Sequence, residues 1–269
     1  MEEQFNRADK KRWFSQSFRI AAMICLGSVL LMAQSSGITV NNRDQKAQEA
    51  VDAALKALGG ADKINGIKSL IIKGTSVSYD NAFVLKYTNE PTTQSVFEIR
   101  ILWPDSFLRI LSITDGRVIT LGVSNGKLIM DSPSISAKMN AGATDSMLAE
   151  WTAFSIGTLM KAGPKPLTIS SRSKPGNLKL SIRDLPDGEL EIDPNIAYPS
   201  YAGYSFTNKY EASGGPREIQ FSNDRFPVSG IMFPREIIRT TSGGSLFMRI
   251  EEVLINPELT LKDFEIPKR

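Results

Sequence analysis

Hydrophobic and polar positions change period several times along the chain, and each change predicts an element. Thr144–Gly163 (TDSMLAEWTAFSIGTLMKAG) places Met147, Leu148, Trp151, Phe154, Ile156 and Leu159 at three- and four-residue spacings. That spacing predicts an interior helix with a broad apolar face. Thr144 or Asp145 is placed to cap its start, and Gly163 before Pro164 to stop it. Asp44–Leu58 predicts an Ala-rich amphipathic helix. Ala47, Val51, Ala54, Leu55 and Leu58 lie on one side, and Gly59-Gly60 ends it.

From Ile67 the period changes to two. IKSLIIKGTSVSY, FVLKYT and SVFEIRILW are rich in β-branched and aromatic residues and read as strands. In the last of these Phe97, Ile99, Ile101 and Trp103 point one way, and Glu98, Arg100 and Leu102 the other. Asp115-Gly116, Asn125-Gly126, Asp187-Gly188 and Gly243-Gly244 lie between extended runs and supply the positive dihedrals of tight hairpins. Beyond the helix come LTISS, NLKLSIRD and ELEID. A Pro- and Tyr-rich stretch follows (Asp193–Tyr204), where two prolines and a glycine speak against regular structure. GIMFPREIIRTT and SLFMRIEEVLIN then read as two long strands before the tail LTLKDFEIP. The expected architecture is an antiparallel meander of roughly ten strands in one domain.

The N-terminus has a different character. Residues 1–19 are polar with a basic cluster, and Ile20–Ala33 (IAAMICLGSVLLMA) is an apolar run. At that length it fits the core of a secretory signal better than a spanning helix, which takes about 20 residues. Ala33 with Leu31, or Ser35 with Ala33, marks the cleavage site. The organisation is therefore a signal peptide or N-terminal anchor over 1–33, a linker over 34–43 and a domain over 44–269. Whether the leader is cleaved or retained as an inner-membrane anchor, the domain is expected to be exported to the periplasm. Cys25 lies inside the apolar run, not after it, which excludes lipid attachment there.

Composition then removes whole classes of chemistry. The chain has no histidine and one cysteine, so Ser–His and Cys–His catalysis, disulfides and the usual zinc and copper sites are excluded. The formal charge is +3, and residues 1–33 hold five basic and three acidic residues, so the domain is close to neutral. It carries no electrostatic footprint for nucleic acid. There is no P-loop, GxGxxG, GxSxG or EF-hand loop. Ser171-Arg-Ser-Lys174 matches Ser-x-x-Lys but runs into Pro175-Gly176, a turn, and reads as a solvated loop. Among possible carboxylate pairs, Asp115 and Asp187 are occupied in turns and Glu251-Glu252 points to opposite faces of a strand. No enzyme activity, cofactor or metal is expected. Tyr198, Tyr201 and Tyr204 either cover a barrel end or rim a binding mouth. Arg235, Arg239 and Arg249 alternate with apolar residues and read as the solvated outer face of a sheet.

From Trp103 to Pro133 the order WPDSFLRI, an Asp-Gly hairpin, SNGKLIMDSP and then the apolar helix resembles the periplasmic outer-membrane lipoprotein carrier (Lol-type) family. The close resembles it too: FPREI, a hairpin, a long strand to Asn256, and Leu261-Lys-Asp-Phe264-Glu-Ile-Pro267. The likeness spans residues 44–267. It implies a mainly β (α+β) fold, a strongly curved, incompletely closed antiparallel half-barrel with helices over its concave apolar face. It also implies a monomer that shields acyl chains of lipids or lipoproteins between membrane-bound donor and acceptor proteins, without covalent chemistry. On that resemblance Phe97, Ile99 and Ile101 would form part of the strand wall, and Met147, Leu148, Trp151, Phe154 and Leu159 the facing helix. Trp103, Tyr198, Tyr201 and Tyr204 would sit at the mouth or lid. The chain departs from the pattern at Trp103, where bacterial carriers often have a basic residue before the proline; a lid switch that uses that residue is changed or absent. The same fold serves envelope sensing and structural interaction domains without a transported ligand, and that is the alternative expectation.

Overall fold

The alternating stretches become strands because each has one face to bury, and the computed structural model shows where those faces meet. It describes residues 37–40, 44–79, 93–132, 142–206, 215–241 and 244–266. The leader with Cys25, the FVLKYT stretch, Pro133, Gly243 and Pro267 lie outside the described residues.

In chain order the elements are β1 (Ile38–Val40), α1 (Gln45–Ala57), α2 (Ala61–Asn65), β2 (Ser69–Tyr79), β3 (Thr93–Leu102), β4 (Ser106–Ile113), β5 (Val118–Ser124) and β6 (Lys127–Asp131). Then come α3 (Gly142–Leu159), β7 (Leu167–Ser171), β8 (Asn177–Ile182), β9 (Gly188–Ile192), β10 (Pro199–Phe206) and β11 (Gly215–Phe221). The last are β12 (Arg225–Val228), β13 (Ile231–Pro234), β14 (Glu236–Thr241) and β15 (Gly244–Ile255), with a 3-10 turn at Leu261–Phe264. Thirteen strands form one sheet in the order β1-β7-β8-β9-β10-β11-β14-β15-β2-β3-β4-β5-β6, and β12 and β13 pair separately. The fold is mainly β with few helices, and the sheet is not closed, because its edge strands β1 and β6 do not pair with each other.

Among the described residues there are 15 strands, not roughly ten. GIMFPREIIRTT divides at Pro234, and Ser229-Gly230, both at positive φ, turn a further hairpin between β12 and β13. One pairing is parallel, that of β1 with β7, so the meander is not purely antiparallel. β1 also lies inside the stretch read as a linker. Ile38 and Val40 are buried there, and the compact unit runs Ser36–Arg269.

Local chemistry explains most boundaries. The Asp44 side chain accepts a hydrogen bond from the Ala47 amide at 3.1 Å and one from the Ser171 amide at 2.5 Å, capping α1 and fastening it to β7. Asn125 and Gly126, with φ of 48° and 70°, form the two-residue turn between β5 and β6. The β8–β9 turn differs from expectation: positive φ falls on Asp184 (68°), and Gly188 already belongs to β9. Glu251 and Glu252 do not point to opposite faces. A register shift between Ile250 and Glu252 leaves both exposed, against Thr75 and Lys73.

α3 is buried from Ser146 through Leu159, not on one face only. Gly157 lets Phe221 lie against its backbone, since a Cβ there would stand 2.0 Å from the Phe221 ring. Thr144 and Asp145 fall in its first turn and are not caps. The stop is not at Gly163 either. Met160 takes the left-handed conformation (φ 49°), and the Met160 amide donates to the Ile156 carbonyl at 2.8 Å.

The helix also establishes the curvature. It contacts β10 and β11 on one side and β5 and β6 on the other. In a flat sheet, β10 and β6 would stand about 38 Å apart at ~4.8 Å per strand. An 18-residue helix is only about 27 Å long, so the sheet curls around it. Trp151 is 0 % exposed at the centre of this contact. Trp151→Ala is expected to lower the unfolding free energy by about 3–5 kcal/mol in chemical denaturation, as for an aromatic removed from a packed core.

Candidate functional site

Strand register builds the inner wall. Ser76 pairs with Ser95, Gly74 with Phe97, Ile72 with Ile99 and Leu70 with Ile101, so alternate residues of β2 and β3 face the concavity together. β4 continues these rows, with Leu111 beside Phe97, Arg109 beside Ile99 and Phe107 beside Ile101. α3 lies on this wall. The Trp151 ring stacks on Phe107 with centroids 6.0 Å apart at 19°, and Phe154 meets the same ring at 6.1 Å. Phe97, Ile99, Ile101, Met147, Leu148, Trp151, Phe154 and Leu159 all belong to one buried cluster. The structure thus brings the strand and helix residues together, with the helix itself filling the space.

The aromatic residues expected at a mouth behave differently. Trp103 is partly buried, and its Nε1–H donates to the Ala162 carbonyl at 3.0 Å, just past the end of α3. Tyr201 and Tyr204 lie on a regular strand, β10, against the expectation of irregular structure, whereas Tyr198 precedes the strand in an irregular stretch. Residues three apart on a strand point to opposite faces. Tyr204 is accordingly in the core at 2 % exposure, not at a rim. Tyr201 faces the other way, among Glu218, Glu189 and Glu191, which together with burial push its hydroxyl well above the usual range. Tyr198 stacks beneath the Arg225 guanidinium at 4.7 Å. The three rings do not gather around one opening.

Of the site's charged residues, Glu150 and Arg109 were not singled out by sequence, and Arg239 was assigned to the outer face. Glu150 sits in the middle of the apolar helix at 4 % exposure. Its Oε1 accepts from Arg109 Nη1 on β4, and its Oε2 from Arg239 Nη2 on β14 at 2.6 Å. Arg239 is therefore turned into the concavity, not out to solvent as alternation suggested; Arg249 is exposed, and Arg235 pairs with Asp224 at the surface. A lone carboxylate within MLAEWTAF was the available signal, since an ionised group in such a helix needs a partner.

A second buried cation stands where α3 ends. The Lys161 ammonium donates to the carbonyls of Ile64 (3.4 Å) and Ile67, and lies 4.9 Å from the centre of the Trp103 ring. Burial pulls its pKa down from 10.5 to about 8. Lys161 thus puts a cation against Trp103, the position where the resemblance implied a basic residue.

The helix also carries polar atoms at a cost. Trp151 Nε1, Ser155 Oγ and Thr158 Oγ1 are buried with no hydrogen-bond partner among the described residues. The Ser171–Lys174 segment is the expected turn, with Gly176 at φ 78°. It edges a recess of about 360 Å³ against α1, floored by Ala50, Ala53, Leu178 and Ile192. A second recess of about 450 Å³ lies on the convex face around Lys73, Val96 and Glu251. Among the described residues no cluster of acidic side chains, His or Cys is arranged to hold a metal ion, and no helix is long and apolar enough to cross a membrane.

No protein-family model matches the sequence, and no curated protein matches it. Solved structures do resemble it. A domain assigned to outer membrane lipoprotein sorting from Vibrio parahaemolyticus aligns with a TM-score of 0.46 at 10% identity, over 81% of this chain and 97% of that one. A DUF1329 family protein from Desulfovibrio piger gives 0.38 at 9% identity, over 82% and 97%. The lipoprotein LppX of Mycobacterium tuberculosis gives 0.28 at 11% identity, over 79% and 98%. At these scores the functional reading rests on the chain's own geometry.

The buried lysine yields a pH test. The folded pKa lies below the unfolded one, so between about pH 8 and 10.5 the unfolded chain holds a proton that the folded chain has released. Stability therefore rises with pH across that window. Relative to Lys161→Met, the wild type is expected to gain roughly 1–3 kcal/mol from pH 8 to 10.5 in urea titrations.

Proposed function

We propose that the protein is an exported acyl-chain-binding protein of the cell envelope, carrying lipid or lipoprotein acyl chains by burial and without covalent chemistry. The observation that carries the reading is an open sheet whose apolar inner wall is occupied by the chain's own helix. α3 shields Phe97, Ile99, Ile101 and Phe107 from water, as an acyl chain would. A chain entering that wall gains about 0.8 kcal/mol per buried methylene. It competes with the self-packing of α3, which is weakened by three buried polar atoms, on Trp151, Ser155 and Thr158, that have no hydrogen-bond partner among the described residues. The apolar run Ile20–Ala33 supports export, and delivery would be to membrane-bound acceptor proteins.

A second reading is an envelope interaction domain in which α3 never leaves. The close fit of Phe221 on Gly157 and the buried Glu150 pairs favour it. Native mass spectrometry of protein purified from a bacterial host separates the two. Co-purifying lipid, and a melting temperature that rises by several degrees with added long-chain lipid, are expected for the carrier. A lipid-free protein with an unchanged melting temperature would leave the interaction domain standing.

A further inference from the structure

An otherwise apolar concavity holds two guanidinium groups from opposite walls, and both converge on one carboxylate carried in by the helix. Arg109 comes from β4 and Arg239 from β14, with β3, β2 and β15 between them. On the intervening floor, Ser76 and Ser95 face the same side as Phe97 and place their hydroxyls 2.8 Å apart, both buried. Arg239 Nε is a buried donor with no hydrogen-bond partner among the described residues. That donor is not used by the Glu150 carboxylate, which Arg239 meets through Nη2. Paired guanidiniums with hydroxyls between them suit a terminal oxyanion, since Arg presents its donors as a planar fork to carboxylate and phosphate.

We infer that Arg109, Arg239, Ser76 and Ser95 form a receptor for the anionic head group of an acyl lipid, and that Glu150 occupies it while α3 fills the concavity. This deepens the acyl-chain reading and rests on it. When α3 withdraws, Glu150 leaves with it. A neutral lipid entering in its place offers the two guanidiniums no replacement for the Glu150 carboxylate, which is costly. A lipid ending in an oxyanion restores the pairing, with its tail along the strip that Trp151 and Phe154 now cover. The helix thus carries an internal copy of the ligand's charge. The head group is a single-ended oxyanion, a carboxylate as in a fatty acid or a phosphate monoester as in a phosphatidate.

The test measures binding of radiolabelled palmitate, dipalmitoyl phosphatidate and hexadecanol, each delivered from cyclodextrin, to the full chain. Palmitate or phosphatidate, or both, are expected to bind at least about tenfold more tightly than hexadecanol, and whichever wins identifies the source of the oxyanion. Glu150→Gln removes the internal competitor and is expected to tighten binding of the anionic lipid about tenfold, with a smaller change for hexadecanol. Arg239→Gln is expected to reduce the anionic preference to within about threefold. Equal binding of all three lipids would overturn the head-group receptor while leaving the acyl-chain reading intact. Binding of none would overturn both. If either variant fails to fold, the wild-type head-group series alone still decides the matter.

Discussion

An open, curled sheet has an inner face that must be covered, and everything else in this protein follows from how that is done. The wall of Leu70, Ile72, Phe97, Ile99, Ile101 and Phe107 cannot remain in water. Closing the sheet would need β1 and β6 to meet, and they do not. α3 therefore goes inside, and it is buried on all sides because the sheet wraps it from β10 around to β6. The demand for an all-round buried helix explains its composition: Ala149, Ala153 and Gly157 allow close approach, and Trp151, Phe154 and Ile156 fill the space.

A helix packed only by apolar contact could slide or rotate in such a channel. Glu150 supplies a fixed point, tied to one wall through Arg109 and to the other through Arg239. Such pairs add little net stability, because their Coulombic gain offsets desolvation, but they fix register. The far end is held separately, by Lys161 on the carbonyls of Ile64 in α2 and Ile67 beyond it, and by Trp103 on the Ala162 carbonyl. The helix is thus fastened at its middle and at its C-terminal end by polar contacts, while apolar packing does the rest.

Much of the wall was legible from residue order. The two-residue period of SVFEIRILW put Phe97, Ile99 and Ile101 on one face, and the apolar spacing of Thr144–Gly163 marked the helix that meets them. The tyrosines were not legible in the same way. Pro194, Pro199 and Gly203 argued against regular structure over Asp193–Tyr204, but from Pro199 onward the stretch pairs on both sides as β10, and strand alternation then sends Tyr201 and Tyr204 to opposite faces. Arg239 was misplaced for a related reason. It alternates with Ile238 and shares a face with Ile237, and alternation alone does not say which of two faces looks inward.

Residue order and residue type settle what is local and compositional: the periods of strands and helices, the Asn-Gly turn between β5 and β6, and the absence of histidine with its chemistry. These follow from near neighbours in the chain or from residue types alone. The tertiary structure decided which distant segments share a space. Arg109 and Arg239 meet at Glu150 only because β4 and β14 end up on opposite walls of one curled sheet. Likewise, Met160 and not Gly163 terminates α3, and the next residue, Lys161, reaches the distant carbonyls of Ile64 and Ile67. Periodicity records which face of an element is apolar; it does not record what that face will touch. That is set by sheet order and curvature, properties of pairings between residues far apart in the chain.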